Sequence, residues 1–199
     1  MRALLVCSSG GHLIQLHNLK PWWERHDRLW VTFEKLDSTS LLTGEQVAWA
    51  YHPTTRNLAN LARNTRLAWK LLRSYRPDVV VSSGAGVAFP FFLLAKLFGK
   101  RTVYVEVYDR IDSPTMTGRL CYPFSDLFLL QWEEQRRNYP KGKVIGIHRD
   151  ARSVTERERR TLGVRHADRP SVRGDPGAAL ISRSCAIRPA RRASSLIAA

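Results

Sequence analysis

The chain has 199 residues, 44% apolar and 25% charged, so it can form one ordinary folded domain and is not disordered throughout. Lys and Arg number 32 against 17 Asp and Glu, and the formal net charge of +15 favours anionic partners: nucleic acid, acidic lipid headgroups or phosphorylated substrates. The three cysteines lie far apart and form no C-x-x-C pair, which argues against a disulfide framework or a zinc site. No apolar run approaches the roughly 20 residues of a spanning helix. We therefore expect a protein that is soluble or peripheral to a membrane.

Short β-rich runs alternate with helical patterns from residue 1 to residue 148. The runs that predict strands are residues 3–7, 28–32, 46–50, 79–82, 102–107, 127–130 and 144–147. The helical patterns lie at residues 13–19, 58–75, 87–98 and 132–139. This alternation is typical of βαβ units, and it predicts a doubly wound, mostly parallel α/β sheet of the Rossmann-like kind. Ligands of such sheets bind at the carboxyl ends of the strands.

Three apolar or amphipathic segments have both a membrane interpretation and an ordinary one. In 58–75, a predicted apolar face opposes a basic face that either lies against acidic headgroups or is simply solvated. The apolar face comprises Leu58, Leu61, Ala62, Thr65, Ala68, Trp69 and Leu72, and the basic face Arg56, Arg63, Arg66, Lys70 and Arg73. The pattern at 87–98 is apolar nearly all round, which suits a buried core helix or partial insertion at an interface. Residues 21–23, Pro-Trp-Trp, suit an interfacial anchor or a turn with two packed indoles.

The composition changes after residue 148. Residues 149–199 contain twelve Arg, no Lys, five acidic residues and no aromatic residue, a net charge of 12 − 5 = +7. Such a segment buries too little apolar surface to offset its ordering entropy, so we expect an Arg-rich tail of low order. Its two interpretations are a basic arm for RNA or acidic lipid, and a solvated extension without a partner.

Two glycine turns connect predicted strands to predicted helices. Ser8-Ser9-Gly10-Gly11-His12 follows the first strand and Ser82-Ser83-Gly84-Ala85-Gly86 follows the fourth. Glycines at such turns let the backbone approach an anion, which the helix N-terminus then attracts. Together the turns predict a diphosphate or phosphosugar site. The residues assigned to it are Ser9, Gly10, Gly11, His12, Ser83, Gly84 and Gly86.

A dinucleotide site is the obvious alternative. Gly84 and Gly86 begin a G-x-G-x-x-G-like pattern, and Glu106 follows at the spacing of a ribose-binding acid. However, Phe89 stands at the third glycine position, where a large side chain prevents close helix–strand packing. No P-loop sequence is present. We therefore expect no cofactor.

His12 and Glu106 are the candidate catalytic groups. The imidazole of His12 either accepts a hydroxyl proton near neutral pH or donates to a phosphate. Glu106 ends an otherwise apolar strand, so its carboxylate either acts as a base or sugar-hydroxyl acceptor or forms a structural ion pair, with Arg110 as the candidate partner. The remaining histidines show no metal-ligand spacing, and we expect no metal site.

The motifs in this order resemble a known family over about residues 2–147. The chain is similar to the bacterial PssD/EpsE-like proteins of polysaccharide synthesis and to the eukaryotic acceptor-binding subunit of the UDP-N-acetylglucosamine transferase of asparagine-linked glycosylation. It resembles more distantly the N-terminal half of MurG-type glycosyltransferases. The matching stretches are residues 8–13, 81–86, 105–106, 113–126 and 131–134. The 113–126 stretch, Ser-Pro-Thr-Met-Thr-Gly-Arg-Leu-Cys-Tyr-Pro-Phe-Ser-Asp, is the most specific.

The resemblance implies the acceptor-binding half of a GT-B glycosyltransferase. A separate PssE-like subunit would hold the nucleotide-sugar donor, and the acceptor would be a saccharide on a polyprenyl diphosphate. The two glycine turns would cradle the diphosphate, and Glu106 with Arg110 would lie near the acceptor sugar. His12 is the first candidate for the base and Glu106 the second. The chain would associate peripherally with the cytoplasmic face of the cell membrane, without binding nucleic acid.

Two alternatives remain at this point. The net charge is also that of a basic nucleic-acid-binding protein, for which affinity would fall steeply with salt. The chain could equally be a non-catalytic recruiter that holds its partner at the membrane. Substitution of His12 and Glu106 distinguishes the recruiter from an enzyme subunit that supplies chemistry.

Overall fold

The computed structural model describes residues 1–145, which form one seven-stranded parallel sheet in the order β3-β2-β1-β4-β5-β6-β7. The strands are Arg2–Val6 (β1), Asp27–Phe33 (β2), Val47–Ala50 (β3), Val79–Ser82 (β4), Arg101–Val105 (β5), Leu127–Leu130 (β6) and Lys143–Val144 (β7). All seven predicted strands are present, and the doubly wound fold class is confirmed. The predicted Arg-rich tail, residues 149–199, lies outside the described residues.

Six helices and two 3₁₀ turns connect the strands. The helices are Gly11–His17 (α1), Lys20–Trp23 (α2), Leu36–Leu41 (α3), Leu58–Ser74 (α4), Ala88–Leu97 (α5) and Met116–Cys121 (α6). The 3₁₀ turns are Tyr122–Phe124 and Glu133–Arg137. The helix predicted at 132–139 is thus a 3₁₀ turn, and the short helices α2, α3 and α6 are additions to the predicted set. None of the helices in residues 1–145 has the length and apolarity to cross a bilayer.

The sheet reverses its winding direction between β1 and β4. The chain passes outward from β1 through β2 to β3, and α4 then returns it to β4 on the other side of β1. Val6, the last residue of β1, pairs with Val31 on one side and with Ser82, the last residue of β4, on the other. The carboxyl ends of β1 and β4 are therefore neighbours at the switch point, where ligands of open α/β sheets bind.

Apolar clusters cover both faces of the sheet. The strand residues 79–81, three consecutive valines, are at most 1% exposed because helices lie on both sides. Trp22 and Trp23 are buried with α1 on one face, which favours two packed indoles over an interfacial anchor. Phe91 and Phe92 of α5 are buried on the other face, and most of α5 is a core helix.

The orientation of α4 differs from the amphipathic prediction. Its buried residues are Asn60, Asn64, Ala68 and Leu72, whereas Leu58 is 80% and Trp69 is 46% exposed. Asn64 donates to the Tyr51 carbonyl oxygen and accepts from the Tyr51 N–H, both at 2.9 Å, and Asn60 donates to the Pro53 carbonyl oxygen at 2.9 Å. These bonds hold the preceding loop, so the two amides face inward and part of the apolar surface faces outward. The predicted basic residues of this segment are exposed as expected.

Candidate functional site

The two glycine turns meet at the carboxyl edge of the sheet, as their positions after β1 and β4 predict. The Nδ1 atom of His12 lies 2.8 Å from the Ser83 carbonyl oxygen. In return, the Ser83 hydroxyl donates to the His12 carbonyl oxygen at 2.7 Å. This reciprocal pair joins residues 71 positions apart and fixes one turn against the other. It also occupies the Ser83 hydroxyl, which is buried and was expected to contact a phosphate.

The Ser83 contact sets the tautomer of His12. A carbonyl oxygen only accepts hydrogen bonds, so Nδ1 must carry the proton when it bonds to Ser83. The neutral imidazole then has its lone pair on Nε2, which has no hydrogen-bond partner within residues 1–145. The His12 side chain is partly exposed. The arrangement therefore presents a fixed proton acceptor at the edge of the sheet, which is the geometry of a general base.

Gly84 lets the His12 ring and a strand tyrosine approach the second turn closely. A Cβ atom at Gly84 would lie 2.7 Å from the Tyr104 hydroxyl and 3.1 Å from His12 Cε1. The Gly84 φ of +117° is also a conformation that residues with a side chain rarely adopt. Glycine is thus required here both by backbone conformation and by the contact with His12.

A carboxylate occupies the first turn. Asp37, at the start of α3, accepts a hydrogen bond from the Gly10 N–H at 2.6 Å. Asp37, Gly10 and the α1 residues Leu13 and Ile14 line one shallow hollow. An anion that used the Gly10 N–H would have to replace this carboxylate, so the first turn is not an empty phosphate cradle in this conformation.

Glu106 lies behind the turns and is 1% exposed. Its carboxylate accepts from the Val107 N–H at 3.1 Å and from the Thr115 hydroxyl at 3.1 Å and 3.3 Å. Burial raises the pKa of Glu106, and the neighbouring Tyr139 hydroxyl together with the hydrogen bonds from Val107 and Thr115 offsets part of that rise. The nearby His12 also favours the ionised carboxylate electrostatically, which places Glu106 close to the candidate base.

The Glu106 carboxylate belongs to a buried polar group that we call the Glu106 cluster: Tyr104, Glu106, Thr115 and Tyr139. The pKa of Tyr104 is raised, by burial first and by the charge of Glu106 second, and Thr115 is a hydrogen-bond neighbour of its hydroxyl. Burial and Glu106 likewise raise the pKa of Tyr139. The buried Tyr139 hydroxyl lies beside Glu106, but its geometry falls short of a hydrogen bond with any described residue.

Arg110 is not the partner of Glu106. The Arg110 side chain is exposed, and none of the ion pairs found in residues 1–145 joins it to Glu106. Its carbonyl oxygen instead accepts from the Gln135 amide at 2.8 Å, which holds the loop that follows β5. The structural ion pair with Arg110, one of the two interpretations of Glu106, is therefore wrong: hydroxyl and backbone donors stabilise the Glu106 carboxylate. The roles of the other predicted residues, Ser9, Gly11 and Gly86 among them, stay predictions.

Sequence reasoning missed Asp37 and three members of the Glu106 cluster. Thr115 had a visible signal, since threonine is a preferred helix N-cap residue, and it does accept from the Gly118 N–H at 2.9 Å. Tyr104 and Tyr139 had none, because each resembles an ordinary core aromatic in the sequence. The approach of Asp37 to Gly10 depends on the packing of α3, which the sequence did not predict.

No three His, Cys, Asp or Glu residues within positions 1–145 are grouped as a metal site requires. The fold is a Rossmann-like half of the GT-B type, with the two glycine turns at the carboxyl edge of its sheet, where ligands of such sheets generally bind. Solved structures support the fold. MurG of Acinetobacter baumannii superposes with a TM-score of 0.56 at 15% identity, over 67% of this chain and 43% of MurG. A UDP-N-acetylglucosamine 2-epimerase superposes with a TM-score of 0.59 at 14% identity, over 74% and 48% of the two chains.

Sequence comparisons give a resemblance of the same kind. Residues 50–148 match the family described as "Oligosaccharide biosynthesis protein Alg14 like". Human UDP-N-acetylglucosamine transferase subunit ALG14 is 33% identical over 86 residues, 40% of this chain and 40% of the human protein. The corresponding subunit of Schizosaccharomyces pombe is 38% identical over 76 residues, 36% of each chain. The resemblance to Alg14 is confirmed, and the alignments span 36–40% of these two relatives.

Proposed function

We propose that this chain is the acceptor-binding subunit of a two-part glycosyltransferase. The complete enzyme would transfer a sugar from a nucleotide-sugar to a saccharide on a polyprenyl diphosphate, in the synthesis of a surface polysaccharide. The observation that carries the proposal is the His12–Ser83 pair, which joins both glycine turns and orients a proton acceptor at the ligand edge of half a GT-B fold. The Alg14-like match supports the assignment to a transferase subunit.

The proposed chemistry is an inverting displacement at the anomeric carbon of the donor sugar. The acceptor hydroxyl gives its proton to His12 Nε2, its oxygen bonds to that carbon, and the bond to the nucleoside diphosphate breaks. The Nδ1–H bond to Ser83 keeps the ring orientation and favours the imidazolium that forms. Glu106 is the weaker candidate for the base, because its carboxylate is buried and already hydrogen-bonded.

The donor site is assigned to a second, PssE-like subunit. Residues 1–145 contain one Rossmann-like sheet, whereas a GT-B active site lies between two such halves, so another chain or domain must complete it. The superposition on less than half of MurG is consistent with this division.

Reconstitution tests the proposal. The full chain should transfer no label from UDP-[¹⁴C]GlcNAc to a polyprenyl-diphosphate-linked saccharide by itself, and it should become active with a co-expressed donor-binding subunit. His12→Ala should then lower kcat by roughly 10²–10⁴-fold. His26→Ala, near the opposite edge of the sheet, is the matched control and should change kcat little. Full activity of the lone chain would contradict the two-subunit assignment. Full activity of both the His12→Ala and the Glu106→Ala complexes would favour the recruiter.

We further propose that the chain contacts the cytoplasmic face of the membrane through α4 and the end of α5. Trp69 is 46% and Leu97 is 73% exposed, and the Trp69 ring packs on Phe98 at 5.0 Å between ring centroids. Basic side chains surround Trp69 on the same helix, and Arg73 lies over its ring at 5.8 Å. An exposed aromatic with neighbouring cations suits an anionic interface, where each basic residue contributes about 1 kcal/mol.

Vesicle sedimentation tests the membrane contact. The full chain should bind vesicles that contain phosphatidylglycerol more tightly than neutral phosphatidylcholine vesicles. The double substitution Trp69→Ser and Leu97→Ser should weaken binding to the anionic vesicles by at least roughly tenfold. The reason is that burial of each large apolar side chain contributes about 1.5–3 kcal/mol to the binding free energy. Leu36→Ser, at a leucine of α3 that is 90% exposed, is the control. Equal losses in both variants would contradict the assignment to α4 and α5.

A further inference from the structure

We propose that Glu106 is a positioning residue, whose buried carboxylate holds the start of α6 in place behind the two glycine turns and takes no proton from the acceptor. This inference rests on the proposed function for its effect on transfer, but its structural part applies to the free chain. It assigns to the Glu106 cluster a role that neither the motif nor the family match gives it.

The Glu106 carboxylate is closed off from any ligand at the edge of the sheet. The Glu106 residue is 1% exposed, and two segments supply donors to its carboxylate, the Val107 N–H and the Thr115 hydroxyl. An acceptor sugar could reach these oxygens only if the loop between β5 and α6 moved away. A general base must lie within hydrogen-bond reach of the proton it removes, and His12 meets this requirement with less rearrangement.

Glu106 is coupled to the start of α6 through Thr115. Thr115 is the N-cap of α6: its side chain donates to Glu106 and accepts from the Gly118 N–H at 2.9 Å. Glu106 therefore fixes the rotamer of the capping hydroxyl. A Cβ atom at Gly118 would overlap both the Glu106 carboxylate and the Tyr139 hydroxyl, so α6 approaches the cluster as closely as a helix can.

Glu106 is also coupled to the elements that carry the two glycine turns. The Glu106 carbonyl oxygen accepts from the Gln15 amide of α1 at 2.8 Å and from the Gln131 amide at 3.2 Å. The Glu106 side chain is in turn close to Tyr104, whose hydroxyl approaches Gly84. The His12 ring packs against the same glycine. Residue 106 thus connects α6, α1 and the second glycine turn, so a loosened α6 start should disturb the positions of the two glycine turns.

The substitution Glu106→Gln separates positioning from proton transfer. The glutamine oxygen can still accept from Val107 and Thr115, and its amide can donate to the otherwise unpartnered Tyr139 hydroxyl. A positioning role therefore predicts that Glu106→Gln keeps kcat within roughly threefold of the wild type. A base role predicts a loss of at least roughly a hundredfold, because an amide cannot accept the proton.

Hydrogen exchange on the full free chain tests the structural part without any substrate. Glu106→Ala and the isosteric Thr115→Val should each accelerate exchange of amides in residues 107–121 by roughly tenfold or more, as expected when a buried hydrogen bond is lost. Glu106→Gln should exchange like the wild type. Glu45→Ala, which removes a carboxylate from an ion pair with Arg28 elsewhere in the sheet, is the control and should leave 107–121 unchanged.

The outcomes are distinct. Protection unchanged in Glu106→Ala, or in Thr115→Val if the alanine variant does not fold, overturns the proposal. So does a Glu106→Gln complex that exchanges normally but has lost transfer, because that result marks a base. In the reconstituted complex, Glu106→Ala should raise the acceptor KM and Glu106→Gln should restore it. If even the wild-type complex transfers no sugar, the proposed function fails, and exchange still decides whether Glu106 holds α6.

Discussion

Gly84→Ala should be the most damaging single-methyl substitution at the ligand edge. The added Cβ would meet the Tyr104 hydroxyl at 2.7 Å and His12 Cε1 at 3.1 Å, and the φ of +117° opposes any side chain. The backbone conformation costs about 1–2 kcal/mol, and overpacking of a buried contact adds about 1–3 kcal/mol. The free energy of unfolding should therefore fall by roughly 2–5 kcal/mol.

Gly99→Ala is the matched control, because Gly99 also has a positive φ, +62°, but open space where a Cβ would lie. Urea unfolding of the full chain should show a loss of only about 1–2 kcal/mol for this variant. In the reconstituted enzyme, displacement of His12 by Gly84→Ala should lower kcat by roughly a hundredfold, as small misplacements of reacting groups do, while Gly99→Ala stays active. Equal stability losses in the two variants would refute the close approach of His12 and Tyr104 to this turn.

Three further outcomes are expected. Asp37→Asn removes a negative charge from the Gly10 N–H, so the KM for a diphosphate-linked acceptor should fall severalfold; a rise in KM would show that the carboxylate supports the turn instead. Burial raises the pKa of Asp126, but bonds from Lys96 and Thr102 outweigh it and the pKa is lowered, so this carboxylate stabilises the fold above its unfolded pKa. That stability is lost as the pH falls through the folded pKa, and Asp126→Asn should flatten the acid side of a plot of Tm against pH. Burial raises the pKa of Cys7 to about 12, so iodoacetamide should modify it, as located by mass spectrometry, only when the chain unfolds.

The sheet could be predicted from the sequence because its strands have local signatures. Runs such as residues 79–81 are apolar on both faces and bounded by polar or glycine-rich turns, and their alternation with helices leaves few topologies open. The short helices α3 and α6 have six residues each, and their existence depends on tertiary packing more than on local propensity.

The site could be predicted only in part. The glycine turns follow two strands, so their meeting at the switch point followed from the fold. The partners of Glu106 could not be predicted in this way. Arg110 has the complementary charge and is nearer in sequence than Thr115, yet the donors are the Thr115 hydroxyl and the Val107 backbone N–H. Composition and spacing do not reveal which neutral group will fill a buried position beside a carboxylate.

The two buried asparagines of α4 determine which side of the helix faces the protein interior. Asn60 and Asn64 hydrogen-bond to the backbone of the preceding loop, and together with the buried Ala68 and Leu72 they set the rotation of the helix about its own axis. As a result, Leu58 and Trp69 remain exposed on the outer side of the helix, next to its arginines. Asn60→Leu or Asn64→Leu would remove these hydrogen bonds. The helix could then rotate so that its exposed apolar side chains become buried, and the surface that we assign to the bilayer would be lost.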